Sequence, residues 1–264
     1  MTLTLPAQTL RSVAASLRQL SYVPTTWHSL LAGMNAAGRA QLEALLVPMA
    51  REGGQPRLMA LVLERLADQQ EVLQREREAW SFVWSGPEPL HARTADTFAT
   101  VDQLITQARS SLLIATYNIG LSADFRAWLE SLAQRLQTGQ LQRVELFFHP
   151  VQIASQLGSD PLPATRRWFE TKVWPWPAKP QAYVDQRLLS GSAERCSQHA
   201  KVVIADADTE AAAALVTSAN FSETAQRHNF EAGWLVTQPW RARQVSDHFH
   251  QLVGEGHFVP LFLA

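Results

Sequence analysis

Cysteine is almost missing from this 264-residue chain, with Cys196 its one copy. A single thiol excludes an intrachain disulfide and a cysteine-rich zinc site. Lysine is scarce as well: Lys172, Lys179 and Lys201 are the three, and the remaining basic residues are arginines. Charge of one sign is not in excess, since 23 basic residues face 24 acidic ones for a net charge of −1. That argues against a generally basic nucleic-acid binder, though a local basic groove fits inside a neutral total. No window approaches 18 uninterrupted apolar residues, so no transmembrane helix is expected. The opening MTLTLPAQTLRSVAASLRQL lacks a basic stretch followed by an apolar one, and no secretory signal is expected. Internal repeats and low-complexity tracts are absent too. With 46% hydrophobic and 18% charged residues, wholesale disorder is excluded. The expectation is a soluble, cytoplasmic, globular protein.

The character of the sequence changes near residues 84–93. Before that point strand signals are few. Leu10, Val13, Leu17 and Leu20 recur at helical spacing, and 37–51 carries Leu42, Leu45 and Leu46 before a Gly53-Gly54 stop. Pro56 opens a long helical pattern that runs to about Trp84, and GPEP at 86–89 breaks it. Residues 1–85 are therefore expected to be a helical N-terminal region. From 90 to 264 helices and strands alternate. Thr94 is the expected cap of a helix through Phe98, Val101, Leu104 and Ile105, and 124–137 is a second amphipathic helix. Strand-like runs fall at 111–119, 143–150, 182–188, 199–207, 213–220 and 230–236, with a last helix over 240–253. This pattern predicts an α/β domain with a largely parallel or mixed sheet flanked by helices.

Three pairs at i, i+2 spacing stand out: His199 and Lys201, Ser218 and Asn220, Asn229 and Glu231. On extended backbone each pair shares a face, and each lies at the end of an apolar run. If the three runs are neighbouring strands, their polar ends converge into one pocket. An imidazole, an ammonium, an amide, a hydroxyl and a carboxylate together suit a phosphate diester. Donors hold the non-bridging oxygens, the imidazole attacks phosphorus, and the carboxylate orients the ring.

His199 to Asp206, HAKVVIAD, fits the HxKxxxxD motif of the phospholipase D superfamily, and TSAN at 217–220 resembles its downstream GSxN element. Asn229-Phe230-Glu231 is similar to the acidic position that follows. The resemblance covers roughly residues 90–255, with the three elements in the family's order. It implies a phospholipase D-like catalytic domain with His199 as nucleophile. Lys201 and Asn220 would bind phosphate oxygens, Ser218 would donate a hydrogen bond, and Glu231 would fix the imidazole tautomer. Asp206, at an odd offset from Lys201, is expected to be structural. No metal or other cofactor is implied. Asn229, Arg187 and Arg195 are weaker candidates for substrate contact.

Two departures bear on this. Thr217 stands where the family usually has glycine, so phosphate is expected to approach that backbone less closely. The motif also occurs once, whereas the family's chemistry needs two histidines, so the resemblance implies a homodimer with sites meeting across a two-fold axis. The helical start, single motif and length also resemble the phospholipase D-like component of bacterial DISARM anti-phage systems. That implies other defence-system proteins as partners and invading DNA as target. The expected activity is a metal-independent nuclease acting through a phosphohistidine. A phospholipid-cleaving or phosphatidyl-transferring enzyme is the alternative, its apolar surface sought at 174–177, and a non-catalytic subunit is a third reading. Blander roles are open beside these: Ser218 and Asn220 as turn formers, His149 as a strand-end residue, His228 as a bystander, Cys196 as an inert loop thiol. The Trp168, Trp174 and Trp176 cluster reads as core or lid packing, or as a base-stacking platform.

Overall fold

The structure, a computed structural model, describes residues 5–87, 94–150, 153, 161–189 and 197–262. The chain divides into two compact units, Met1–Glu78 and Ala79–Ala264. In the first, helices α1 (Ala7–Arg18), α2 (Ala36–Arg51) and α3 (Pro56–Glu78) share one core. The helical spacing of α1 buries Leu10, Val13, Ala14 and Leu17 in a cluster with Leu42, Leu46, Met59 and Leu63. Asn35 caps α2 by accepting from the Gly38 N–H at 2.8 Å. Arg18 and Glu64 pair at 2.6 Å across α1 and α3 on the surface.

The long helix ends sooner than its sequence pattern suggested. It stops at Glu78, and Trp80–Ser85 is instead strand β1 of the second unit. The reason is periodicity: in WSFVWS the aromatics recur every second residue, so a strand segregates them to one face and a helix does not. Strands β2 (Ala95–Asp96), β3 (Ser111–Thr116), β4 (Arg143–Phe148), β5 (Gln181–Asp185), β6 (Val202–Ala205), β7 (Ala213–Thr217), β8 (Glu231–Val236) and β9 (Phe258–Pro260) complete a sheet. Among the described residues its order is β2-β1-β8-β7-β6-β3-β4-β5-β9. β3, β4 and β5 run parallel, while β6, β7 and β8 form an antiparallel meander between β3 and β1.

Helices α4 (Thr97–Gln107) and α5 (Ala123–Gln137) cover one sheet face, burying Val101, Leu104, Phe125 and Leu129 against Ile114, Leu146, Val203 and Leu215. Asp96, not Thr94, caps α4, its carboxylate accepting from the Ala99 N–H at 2.8 Å. On the opposite face α8 (Pro239–Gly254) sets Ala242 and Phe249 against Leu113, Phe147, Val202 and Ala214. The 182–188 run yields to a short helix, α7 (Gln186–Leu189), directly after β5. After α6 (Pro161–Trp168) comes a wider helical turn, Phe169–Val173. It delivers Trp174 into the core, its indole N–H donating to the Ala178 carbonyl at 2.7 Å. Trp168 and Trp176 pack against the same core. Of the stretch at 174–177, Trp174 is core, Trp176 is half-buried, and Pro175 and Pro177 face solvent.

Candidate active site

Strands β6, β7 and β8 are consecutive neighbours, so the start of β6, the end of β7 and the start of β8 fall at one sheet edge. Val202 pairs with Val216, and Thr217 pairs with Gly233. The Thr217 N–H donates to the Lys201 carbonyl at 3.0 Å, which extends the β6–β7 register to the motif itself. This edge gathers His199, Lys201, Ser218, Asn220, Asn229 and Glu231, with the ends of β3 and β4 alongside.

Lys201 is 6% exposed, whereas His199 is open to solvent. The Lys201 ammonium lies 2.6 Å from His199 Nδ1 and 3.1 Å from Nε2, and donates to the His199 carbonyl at 2.7 Å. An ammonium has no lone pair, so in this contact it donates and the ring nitrogen accepts. Burial pushes the Lys201 amine below the usual lysine range, and the negative charge of Glu231 partly opposes that.

Glu231 accepts from the Ser218 hydroxyl and, at 3.2 Å, from the Asn229 amide. Ser218 Oγ also accepts from the Ala232 N–H at 3.1 Å. Among the described residues no hydrogen bond joins Glu231 to His199, because Ser218 and Asn229 hold its oxygens. Asn220 is oriented from β3: its Oδ1 accepts from the Asn118 N–H at 3.3 Å, and the Thr116 hydroxyl both donates to the Asn118 carbonyl and accepts from the Phe221 N–H.

Thr217, where a glycine was expected from the motif, has room because its partner is Gly233. A Cβ on Gly233 would meet the Val216 carbonyl at 2.7 Å and Thr217 Cβ at 2.8 Å. The Thr217 hydroxyl donates to the Ala232 carbonyl and accepts from the Ala219 N–H, so it stiffens the turn carrying Ser218 and Asn220.

Two neighbours were not assigned to the site from the sequence: Tyr117, and His149, which was read as a strand-end residue. The Tyr117 ring lies between His199, with centroids 4.9 Å apart, and His149, stacked at 5.1 Å with planes 10° apart. Both sit one residue beyond a strand, at the same sheet end as His199; that position is the signal that would have exposed them. Burial pushes the His149 imidazole below its ordinary range, partly offset by Asp185.

Arg187 is ion-paired to the buried Asp185 at 2.6 Å. Its side chain borders a cavity of about 470 Å³ that also touches Gln198, His199, His248 and His257. Arg195 and Cys196 lie outside the described residues. A larger cavity, about 1040 Å³, opens around Asp206 and α4, at the far end of β6 from Lys201, and belongs to a different part of the fold. No described group of three His, Cys, Asp or Glu side chains forms a metal-binding cluster.

Asp206 has a left-handed backbone, φ 53°, and its carboxylate accepts from the Arg109, Ser110 and Ser111 N–H groups at 2.7 to 3.1 Å. Burial alone would raise its pKa, but these donors outweigh it and hold the carboxyl below its ordinary range. Asp206→Asn is expected to lower unfolding free energy by about 2–4 kcal/mol in urea titrations. A depressed folded pKa stabilises fully above the unfolded value of about 3.9 and loses that contribution as pH falls through the folded one. The difference between wild type and variant should therefore shrink only in that acid window.

Residues 101–253 match the family profile described as "Cardiolipin synthase, PLD-like domain". That span is more than half of the chain, and the protein belongs to this phospholipase D-like family. Solved structures similar to it include the phospholipase D family member Nuc from Salmonella typhimurium, at 16% identity and TM-score 0.43, covering 69% of this chain and 96% of Nuc. NucT from Helicobacter pylori is similar at 17% identity and TM-score 0.42, covering 62% and 90%. Phosphatidylserine synthase from Haemophilus influenzae Rd KW20 is similar at 19% identity and TM-score 0.44, over 69% of this chain and 39% of that one. Comparison with curated proteins returns no match. No described helix is long and apolar enough to cross a membrane.

Proposed function

We propose that this chain is a metal-independent phosphodiesterase that cleaves nucleic acid, DNA foremost, as a homodimer, in the service of anti-phage defence. The observation that carries the reading is the contact of a buried ammonium, Lys201, with a solvent-open imidazole, His199, at the edge where Ser218, Asn220 and Glu231 meet. A phosphate oxygen arriving at that edge takes over the ammonium and frees the ring nitrogen for attack.

In the first step a ring nitrogen of His199 bonds to phosphorus, the P–O bond to the leaving alkoxide breaks, and a second His199, from the symmetry mate, gives that alkoxide its proton. In the second step the same histidine takes a proton from water, the hydroxide oxygen bonds to phosphorus, and the P–N bond breaks. Lys201 and Asn220 bind the non-bridging oxygens, the ammonium supplying charge and the amide N–H a hydrogen bond, and Ser218 adds another. Glu231 holds the imidazole tautomer, which requires its carboxylate to exchange Asn229 for the His199 N–H. Asp206 serves the fold. The domain of 90–264 carries the chemistry, and the N-terminal helical unit docks partners or positions substrate.

The test is a substrate panel in excess chelator: single-stranded DNA, duplex DNA, RNA and phosphatidylcholine vesicles, each with wild type and His199→Ala. DNA cleavage that survives chelation and disappears in the variant is the expected result. Choline release instead would replace the reading by lipid cleavage, and no turnover on any substrate would replace it by a binding subunit.

A further inference from the structure

The sheet face opposite the catalytic side chains carries an aromatic ladder that neither packing nor the chemistry above uses. Trp80, Phe82 and Trp84 project from β1, and register places Phe82 against Trp234 and Trp84 against Ala232 of β8. The rings follow one another without a gap. Phe230 stacks on Trp84 at 6.0 Å, Trp84 meets Phe82 at 6.2 Å, Phe82 meets Trp234 at 5.4 Å, and Trp234 meets Trp80 at 6.2 Å. Beyond Trp80 the Arg241 guanidinium lies 5.1 Å over that ring and 4.3 Å over Trp240. Phe230 is 72% exposed, Trp240 57%, Trp234 48% and Trp80 38%. Helix α8 covers this face over the β7 to β9 side, where Ala242 and Phe249 pack.

The ladder is built, not left over. Gly86, at φ 106°, clears the space for Phe230, since a Cβ there would come within 2.5 Å of the ring. Exposing this much indole leaves stability unused, because each ring forgoes burial that would stabilise the fold by about 1.5–3 kcal/mol. Three features point to its occupant. It begins at Phe230, beside Glu231 at the same end of the sheet, so a chain held at the phosphodiester site reaches it by passing round that end onto the other face. Its exposed members, Phe230, Trp234, Trp80 and Trp240, are aromatic, the side-chain type on which unpaired bases of any sequence stack at a sheet surface. Its far end holds a cation, Arg241, while β1 has no charged side chain and β8 none beyond Glu231, so a phosphate backbone meets attraction without repulsion.

We infer that the β1–β8 face is a base-stacking track for single-stranded nucleic acid leading into the His199 edge. This rests on the nuclease reading for its substrate but is tested apart from it. Full-length His199→Ala protein is titrated with a fluorescein-labelled oligothymidylate in chelator, followed by anisotropy and by intrinsic tryptophan fluorescence. Trp234→Ala and Phe230→Ala should each weaken binding about tenfold, Trp234→Phe should largely restore it, and a duplex of equal length should bind independently of all three. Saturation of the unaltered ladder should quench tryptophan emission, a readout that needs no folded variant.

Unchanged oligonucleotide affinity in both alanine variants, or saturation without quenching, overturns the track. So does ladder-dependent binding of phosphatidylglycerol vesicles in place of the oligonucleotide. If wild type cleaves DNA while the variants alter neither affinity nor KM, the track fails and the nuclease reading stands. If no nucleic acid is cleaved but the ladder binds single strands, the track stands and that reading falls.

Discussion

Mixing wild-type and His199→Ala subunits in equal amounts is expected to leave about one quarter of the wild-type activity, not one half. The chain supplies one HxK histidine, and the proposed two-step transfer in a homodimer uses two rings at once, one bonded to phosphorus and one carrying the proton. Only dimers with two intact subunits complete it, so after subunit exchange activity follows the square of the wild-type fraction. The pure variant should lose at least about 10⁴-fold, because nucleophile and acid vanish together. Activity proportional to the wild-type fraction would show that each subunit works alone, and it would remove the shared site. Because His199 is solvent-exposed and its backbone only borders β6, Tm should barely move, which separates a chemical loss from unfolding.

Lys201→Met is expected to abolish phosphate neutralisation and, at neutral pH, to raise stability. The ammonium is buried at 6% exposure and its pKa is pushed down by that burial. Methionine fills similar volume without a charge to desolvate. Rate should fall about 10²–10³-fold, the usual effect of removing a donor aimed at transition-state charge. A lysine with a depressed folded pKa opposes folding while protonated, and that penalty fades as pH rises through the folded value toward the unfolded one near 10.4. The Tm gain, about 2–4 °C for each kcal/mol recovered at this size, should therefore be largest near neutrality and vanish in alkali. A variant less stable than wild type at pH 7 would mean that the His199 contact, not phosphate, is what keeps the lysine.

The strand ends were legible because polar pairs at i, i+2 terminate apolar runs at 199–201 and 218–220, and polypeptide alternation leaves them one face to share. Helices α1, α5 and α8 were legible from their 3.6-residue spacing, and the mixed sheet from the alternation after residue 90. β1 was misread because it follows a 23-residue helix with no Gly or Pro between them to mark the boundary, and two-residue strands such as β2 carry no period at all. Tyr117 and His149 follow strand ends, which marks them as candidates, but nothing local links residues 117, 149 and 199 or sets them beside one another.

By itself, then, the sequence determined the chemical inventory: which side chains can attack, donate or neutralise, and on which face of its own segment each stands. Tertiary structure alone decided their company. The antiparallel order β6-β7-β8 set three distant pairs side by side, and parallel β3 and β4 brought Tyr117 against the His199 ring with His149 stacked behind it. The physical reason is range. Backbone periodicity is fixed by bonds between adjacent residues, whereas strand order is fixed by which apolar faces α4, α5 and α8 can bury together, a property no single segment contains.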